Sequence, residues 1–144
     1  MKLKLQSKPG MEDFFKDTRL LGIGSSLRVF QLCWHVNRLL GMEFRHYMEL
    51  ECLIGKKAKT GYFSVYEFEE PSCYTNHYLY SNHYRAEYLL PELKHLDFFW
   101  LMQGCYYSAE DVEVLMESLR RIKEVQLVTS VNLNDLKNLE HLML

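Results

Sequence analysis

The chain has no CxxC pair, no run approaching some 18 uninterrupted apolar residues, no internal repeat, no low-complexity segment and no marked excess of charge of one sign. Each absence removes a class. Four cysteines, Cys33, Cys52, Cys73 and Cys105, stand singly at wide intervals, unlike the dense framework of a small secreted domain, and are expected as reduced core thiols. Without a long apolar run there is no candidate membrane span, and Met1 to Gly10 alternates Lys with apolar residues and has no apolar signal core. The expectation is a cytoplasmic protein with no membrane partner. Seventeen Lys and Arg against 19 Asp and Glu give a net charge of −2, which argues against a DNA-binding footprint and leaves room only for a local basic patch.

What is present is enough for one domain. A chain of 144 residues is long enough to bury roughly 70% of the surface its unfolded form exposes, so a core needs no staples. Residues 1–17 read as a tail whose Phe14 and Phe15 dock on the body, and 18–144 as a single domain. Leu20 to Gly24 reads as a buried strand, followed by a helix capped by Ser25 or Ser26 and ending at Gly41. Arg28, Gln31, His35 and Arg38 form a narrow polar stripe on that helix, which is therefore expected to be largely buried. Asn37 falls on its apolar side and must find partners, since an unpaired buried amide costs about 1–3 kcal/mol.

Residues 43–54 and 62–69 read as a hairpin around the Gly55 to Gly61 loop. Cys73 to Tyr84 alternates like a strand, with Tyr74, Tyr78, Tyr80 and Tyr84 on one face together with Asn76 and Asn82. Leu96 to Met102 is apolar on both faces, as a central strand should be. Ser108-Ala109-Glu110-Asp111 has the form of a capping box before a helix with Val112, Leu115, Leu119 and Ile122 on one side, and a strand from Val125 to Leu133 follows. Asn134 then caps a short closing helix. The order predicts an α+β fold with an antiparallel-rich sheet and two main helices, a split βαβ plan related to the ferredoxin-like fold with an extra hairpin.

The segment Leu90-Pro91-Glu92-Leu93-Lys94-His95-Leu96-Asp97-Phe98 places two carboxylates and a histidine at the entrance of the central strand. Its spacing resembles the signature of the bacterial IPExxxVDY family, with Pro91, Glu92 and Asp97 in place and Leu90, Leu96 and Phe98 standing for Ile, Val and Tyr. Leu20-Leu21-Gly22-Ile23, Leu32-Cys33-Trp34 with Asn37 and Gly41, and Tyr78-Leu79-Tyr80-Ser81-Asn82 extend the resemblance over most of residues 20–104. Asp135 to Leu139 resembles the family's Lys-rich ending loosely. The resemblance implies no activity.

Candidate sites compete with structural roles. Glu92, His95 and Asp97 would serve as acid, base and orienting group if they converged, or as turn residues capping backbone amides if they did not. Asn37 and Asn82 join them as polar candidates for a ligand or structural site. His77 and His83 share a strand face but lie roughly 20 Å apart on a straight strand, too far for one ion, and no metal or cofactor is expected. Gly22-Ile23-Gly24-Ser25-Ser26 opens a helix where an anion could bind, but Leu27 stands where a dinucleotide fingerprint needs its third glycine, so a tight turn is the better reading. Tyr74, Tyr78 and Tyr80 make a stripe suited to a homodimer contact, to packing, or to stacking single-stranded RNA beside Lys56, Lys57 and Lys59. Without a complete catalytic constellation, the expectation is a non-catalytic domain acting by self-association or by binding a small ligand; the alternatives are an enzyme using Glu92, His95 and Asp97, and an RNA binder.

Overall fold

The computed structural model describes residues 10–104 and 107–144. The short helix α1 (Met11–Phe14) leads into β1 (Arg19–Ser25), α2 (Val29–Leu40), the hairpin β2 (Arg45–Ile54) and β3 (Lys59–Glu69), and β4 (Asn76–Ser81). A two-residue hairpin, β5 (His83–Tyr84) and β6 (Glu87–Tyr88), and a 3-10 turn over Pro91–Leu93 precede β7 (Phe98–Gln103). Helix α3 (Ala109–Arg120), β8 (Val125–Val131) and two further 3-10 turns, Leu133–Asp135 and Leu139–Leu142, complete the chain.

The fold is α+β. Six strands form one sheet in the order β2-β3-β4-β7-β1-β8, every neighbouring pair antiparallel, and β5 pairs with β6 beside it. Strand alternation divides the core in two. Leu21, Ile23, Leu79, Phe98, Trp100 and Met102 pack against Leu32, Val36, Leu115 and Leu119 of the helices. Leu20, Tyr80, Phe99 and Leu101 pack on the opposite face against Leu89, Leu90, Leu96 and Leu142, which lie in irregular chain. Loop and C-terminal segment thus take the place of a second helix layer. β7 is buried on both sides because both layers meet it, as its unbroken apolar run predicts, and each such side chain contributes about 1.5–3 kcal/mol on burial. Phe14 and Phe15 dock on this second face, and Gln103 Nε2 donates to the Phe14 carbonyl at 2.9 Å.

Several expectations change, among them the closing cap: Asn132, not Asn134, caps a 3-10 turn, accepting the Asn134 amide at 3.0 Å. Helix α2 starts at Val29, not after Ser25 or Ser26: Ser25 remains in β1, and the Arg28 amide at the cap donates to Gln31 Oε1 at 2.9 Å. Nor is α2 largely buried. Only Leu32, Cys33 and Val36 are, while Phe30 and Trp34 are each 55% exposed beside the polar stripe, because no element among the described residues packs over the outer side of the helix layer. Finally, the chain turns at Tyr74, which has φ 58°, so the strand begins at Asn76 and the tyrosines do not form one continuous stripe. Ser108 and Asp111 do form the reciprocal cap of α3, at 3.1 and 3.0 Å, and Gly41 ends α2 with φ 67°. Cys105 and the first nine residues lie outside the described chain. Among the described residues no helix is long and apolar enough to cross a membrane.

Candidate functional site

The strands β1, β4 and β7 bring three sequence-distant groups to one end of the sheet. Asp97, just before β7, accepts the Ser25 amide through Oδ2 at 2.8 Å and meets His83 Nε2 through Oδ1 at 2.7 Å. Both carboxylate oxygens are thereby engaged. The His83 ring is flanked on its other side by Tyr88, with ring centroids 5.2 Å apart. Ser81 supports its backbone: the His83 amide donates to Ser81 Oγ at 3.3 Å. With Asp97 accepting from Nε2–H, Nδ1 is the ring nitrogen left to a ligand.

A cleft of about 390 Å³ opens at this point, lined by Ser25 to Val29, Ser81, His83, Asp97 and Phe98. Its floor is apolar, from Leu27, Val29 and Phe98, and its polar groups are the serines, Arg28 and the His83–Asp97 pair. Of the first-turn amides of α2, which have no carbonyl partner within the helix, that of Val29 lies at the same cleft. Ser25 is fixed from two sides: its hydroxyl donates to the Glu124 carbonyl at 2.7 Å and accepts the Leu27 amide at 3.1 Å. Asp97 thereby orients the His83 imidazole.

Gly22 and Gly24 have a different role from a tight turn. Both lie within β1, and a Cβ on Gly22 would come within 2.3 Å of Leu96 Cδ1. A Cβ on Gly24 would meet Leu127 Cβ at 3.2 Å. These glycines let the Leu90 to Asp97 segment lie directly under the strand, and so bring Asp97 to Ser25.

The other sequence candidates are dispersed. Glu92 accepts the backbone amides of Lys137 and Asn138, each at 2.9 Å, and the Asn138 side chain at 2.9 Å, clamping the C-terminal segment. Burial alone would raise its pKa, but those hydrogen bonds hold the carboxyl below its ordinary value. His95 is exposed. Glu92, His95 and Asp97 therefore face three separate environments. Asn82 is completely buried: Nδ2 donates to the Leu96 and Leu93 carbonyls at 2.8 and 3.1 Å, and Oδ1 accepts the Leu90 amide at 2.8 Å. Asn37 accepts the Phe44 amide at 2.8 Å and donates to the Phe44 carbonyl at 3.0 Å, tying the end of α2 to β2.

The tyrosines separate in the same way. Tyr80 is sealed beneath the C-terminal segment and donates to the Leu142 carbonyl at 2.5 Å, Tyr78 lies half-buried beside Tyr47, and Tyr74 is 76% exposed in the turn before β4. The lysine loop is remote from them. Lys59 lies six residues along β3 from Val65, the partner of Tyr80, which is roughly 20 Å of strand.

A second, buried polar cluster was not legible in the sequence. His77 Nδ1 accepts Trp100 Nε1–H at 3.0 Å, so Nε2 carries the ring proton and donates to Glu70 at 2.7 Å. Tyr107 also donates to Glu70, at 2.8 Å, and Phe68 stacks on the imidazole. Burial holds the His77 pKa below its ordinary value despite the neighbouring carboxylate. Burial pushes the Cys33 thiol up to about 12, so it stays protonated. Among the described residues, no three His, Cys, Asp or Glu side chains converge as a metal-binding set. His83 went unrecognised as a site residue because its partners, Asp97 and through it Ser25, come from strands far apart in the sequence. No protein-family model matches this chain, and no curated protein matches it.

Proposed function

We propose that this is a cytoplasmic, non-catalytic binding domain whose ligand, a small acidic molecule carrying a carboxylate or phosphate, occupies the cleft between the β1–α2 connection and His83. The observation that carries this reading is the His83–Asp97 pair at the cleft. Asp97 is saturated by Ser25 and His83, so the polar groups left for a ligand are the donors of the Arg28 guanidinium, the Ser26 hydroxyl and the Val29 amide, with His83 Nδ1 as an acceptor for the hydroxyl of a partly protonated phosphate or carboxylic acid. Such a set suits an anion with an apolar body resting on Leu27, Val29 and Phe98.

The IPExxxVDY resemblance is kept here as a proposal, and the contacts give it physical content. Pro91 sets the 3-10 turn, Glu92 grips Lys137 and Asn138, and Asp97 binds Ser25, so the resembling residues organise one end of the molecule. We also propose a ferredoxin-like relation. β8, β1, β7 and β4 follow the four-strand order of that plan, with the β2–β3 hairpin added at the sheet edge beside β4.

The test is thermal unfolding in inorganic phosphate against chloride at matched ionic strength. A ligand that binds the folded state raises Tm by linkage. The wild type should show a saturable rise that His83→Ala loses and Arg19→Glu, at the opposite end of β1 from Ser25, retains. Equal responses of the wild type and His83→Ala would overturn the assignment.

A further inference from the structure

The outer side of the helix layer carries a second surface, with lining residues distinct from those of the His83 cleft. Helix α2 contains no acidic residue. Trp34 is 55% exposed, Phe30 one turn before it is equally so, and the Arg38 guanidinium one turn after it stands 5.3 Å from the indole centroid. Beside these lies a groove of about 430 Å³ lined by His35, Arg38, Leu39, Arg121, Ile122, Lys123 and Glu124. Arg38, Arg121 and Lys123 have no ion-pair partner among the described residues; the acidic residues of α3 that form ion pairs, Glu113 and Glu117, turn to Arg120. Three cations and a histidine thus face one carboxylate in a chain whose overall charge is negative.

Basic residues near helix ends complement the helix dipole, and that alone would account for Arg121 and Lys123. It does not account for two large aromatic side chains held in water next to them. An aromatic face with a guanidinium at its border and unpaired cations in an adjoining groove matches a ligand that is flat and apolar at one end and anionic at the other. We propose that this surface binds a nucleoside phosphate, with the base against Trp34 and the phosphate in the groove between Arg38, Arg121 and Lys123. An acidic peptide would use the cations and leave the exposed indole without a role. The same chemistry is offered by a free nucleotide or by a nucleotide within single-stranded RNA.

Trp34 supplies its own reporter, because the chain's other tryptophan, Trp100, is completely buried. The full-length protein is titrated with adenosine monophosphate and, separately, with a short single-stranded oligoadenylate, and indole emission is followed at low and moderate salt. The proposal expects saturable quenching, absent in Trp34→Leu, and at least a tenfold weaker midpoint in the Arg121→Glu, Lys123→Glu double variant, with Arg19→Glu, an exposed cation at the start of β1, unchanged. Both changed residues are exposed, and a far-ultraviolet spectrum matching the wild type confirms that the double variant is folded. Saturation by the mononucleotide identifies a free nucleotide as the source; saturation by the oligomer alone identifies RNA. The proposal is overturned if neither probe quenches saturably, or if inorganic phosphate or oligoglutamate displaces the probe as well as adenosine monophosphate does, since the base would then contribute nothing.

Discussion

Asn82 is completely buried and uses both ends of its amide on the backbone of the Leu89 to Asp97 segment. Replacing it with Ala strands the Leu96 carbonyl and the Leu90 amide away from water, at about 1–3 kcal/mol for each unpaired group, while the Leu93 carbonyl keeps the Leu96 amide. Asn82→Ala is therefore expected to lower the urea midpoint by an amount equivalent to ~3 kcal/mol or more, and a loss below 1 kcal/mol would show that water replaces the side chain. His77 makes a prediction in pH. Its folded pKa lies below the ordinary value of 6.5, so above that pH it is neutral in both states and costs nothing. As pH falls below 6.5 the unfolded chain takes up a proton that the folded one resists, and stability drops. Glu70, held below its ordinary 4.5 against burial by His77 and Tyr107, adds a further loss at lower pH as it is protonated in the fold. The difference in urea midpoint between pH 7.5 and pH 5.5 should be smaller in His77→Gln, which keeps an acceptor for Trp100 and a donor for Glu70 but does not titrate; an unchanged difference would assign the acid sensitivity elsewhere.

At the scale of elements, β1 depends on having no side chain at Gly22. A methyl there would have to displace Leu96, whose Cδ1 lies 2.3 Å from the Cβ position, and overpacking of this kind typically costs about 1–3 kcal/mol. Gly22→Ala should destabilise by that amount and also shift the amide resonances of Asp97 and His83, because Leu96 and Asp97 are adjacent. Destabilisation with unmoved resonances would mean that Leu96 yields without disturbing the site. Much of this level was legible beforehand: the hairpin of β2 and β3, the doubly buried β7, the cap at Ser108 and the stop at Gly41 each follow from local composition. The outward aromatic residues of α2 were not, because periodicity reports which residues are apolar and not whether a second layer covers them. Tyr74 left its strand for a related reason, since alternation alone carries no sign of a backbone turning through a positive φ.

At the scale of the whole molecule, the C-terminal segment substitutes for a helix layer. Leu142 is completely buried, Tyr80 donates to its carbonyl, and Glu92 fastens Lys137 and Asn138 from the 3-10 turn packed on the same face. Removal of residues 133–144 is expected to abolish cooperative unfolding and to expose the Leu20, Tyr80 and Leu101 face to a hydrophobic dye; a truncated chain with a sharp transition would show that this face folds without its cover. These long-range pairings are the part the sequence conceals. Asn37 announces itself as a polar residue on an apolar helix side, and its partner proved to be seven residues away at Phe44. His83 announces nothing, because an exposed histidine is ordinary until the fold sets Asp97 against it.

The cleft beside that pair is the central claim, and an amide and imidazole NMR titration of the wild-type protein with inorganic phosphate tests it most directly. The predicted result is saturable movement confined to the amides of Ser26 to Gln31 and the His83 ring, with the sheet interior unmoved. Absence of saturable change at those positions, or a response centred elsewhere, would contradict the account.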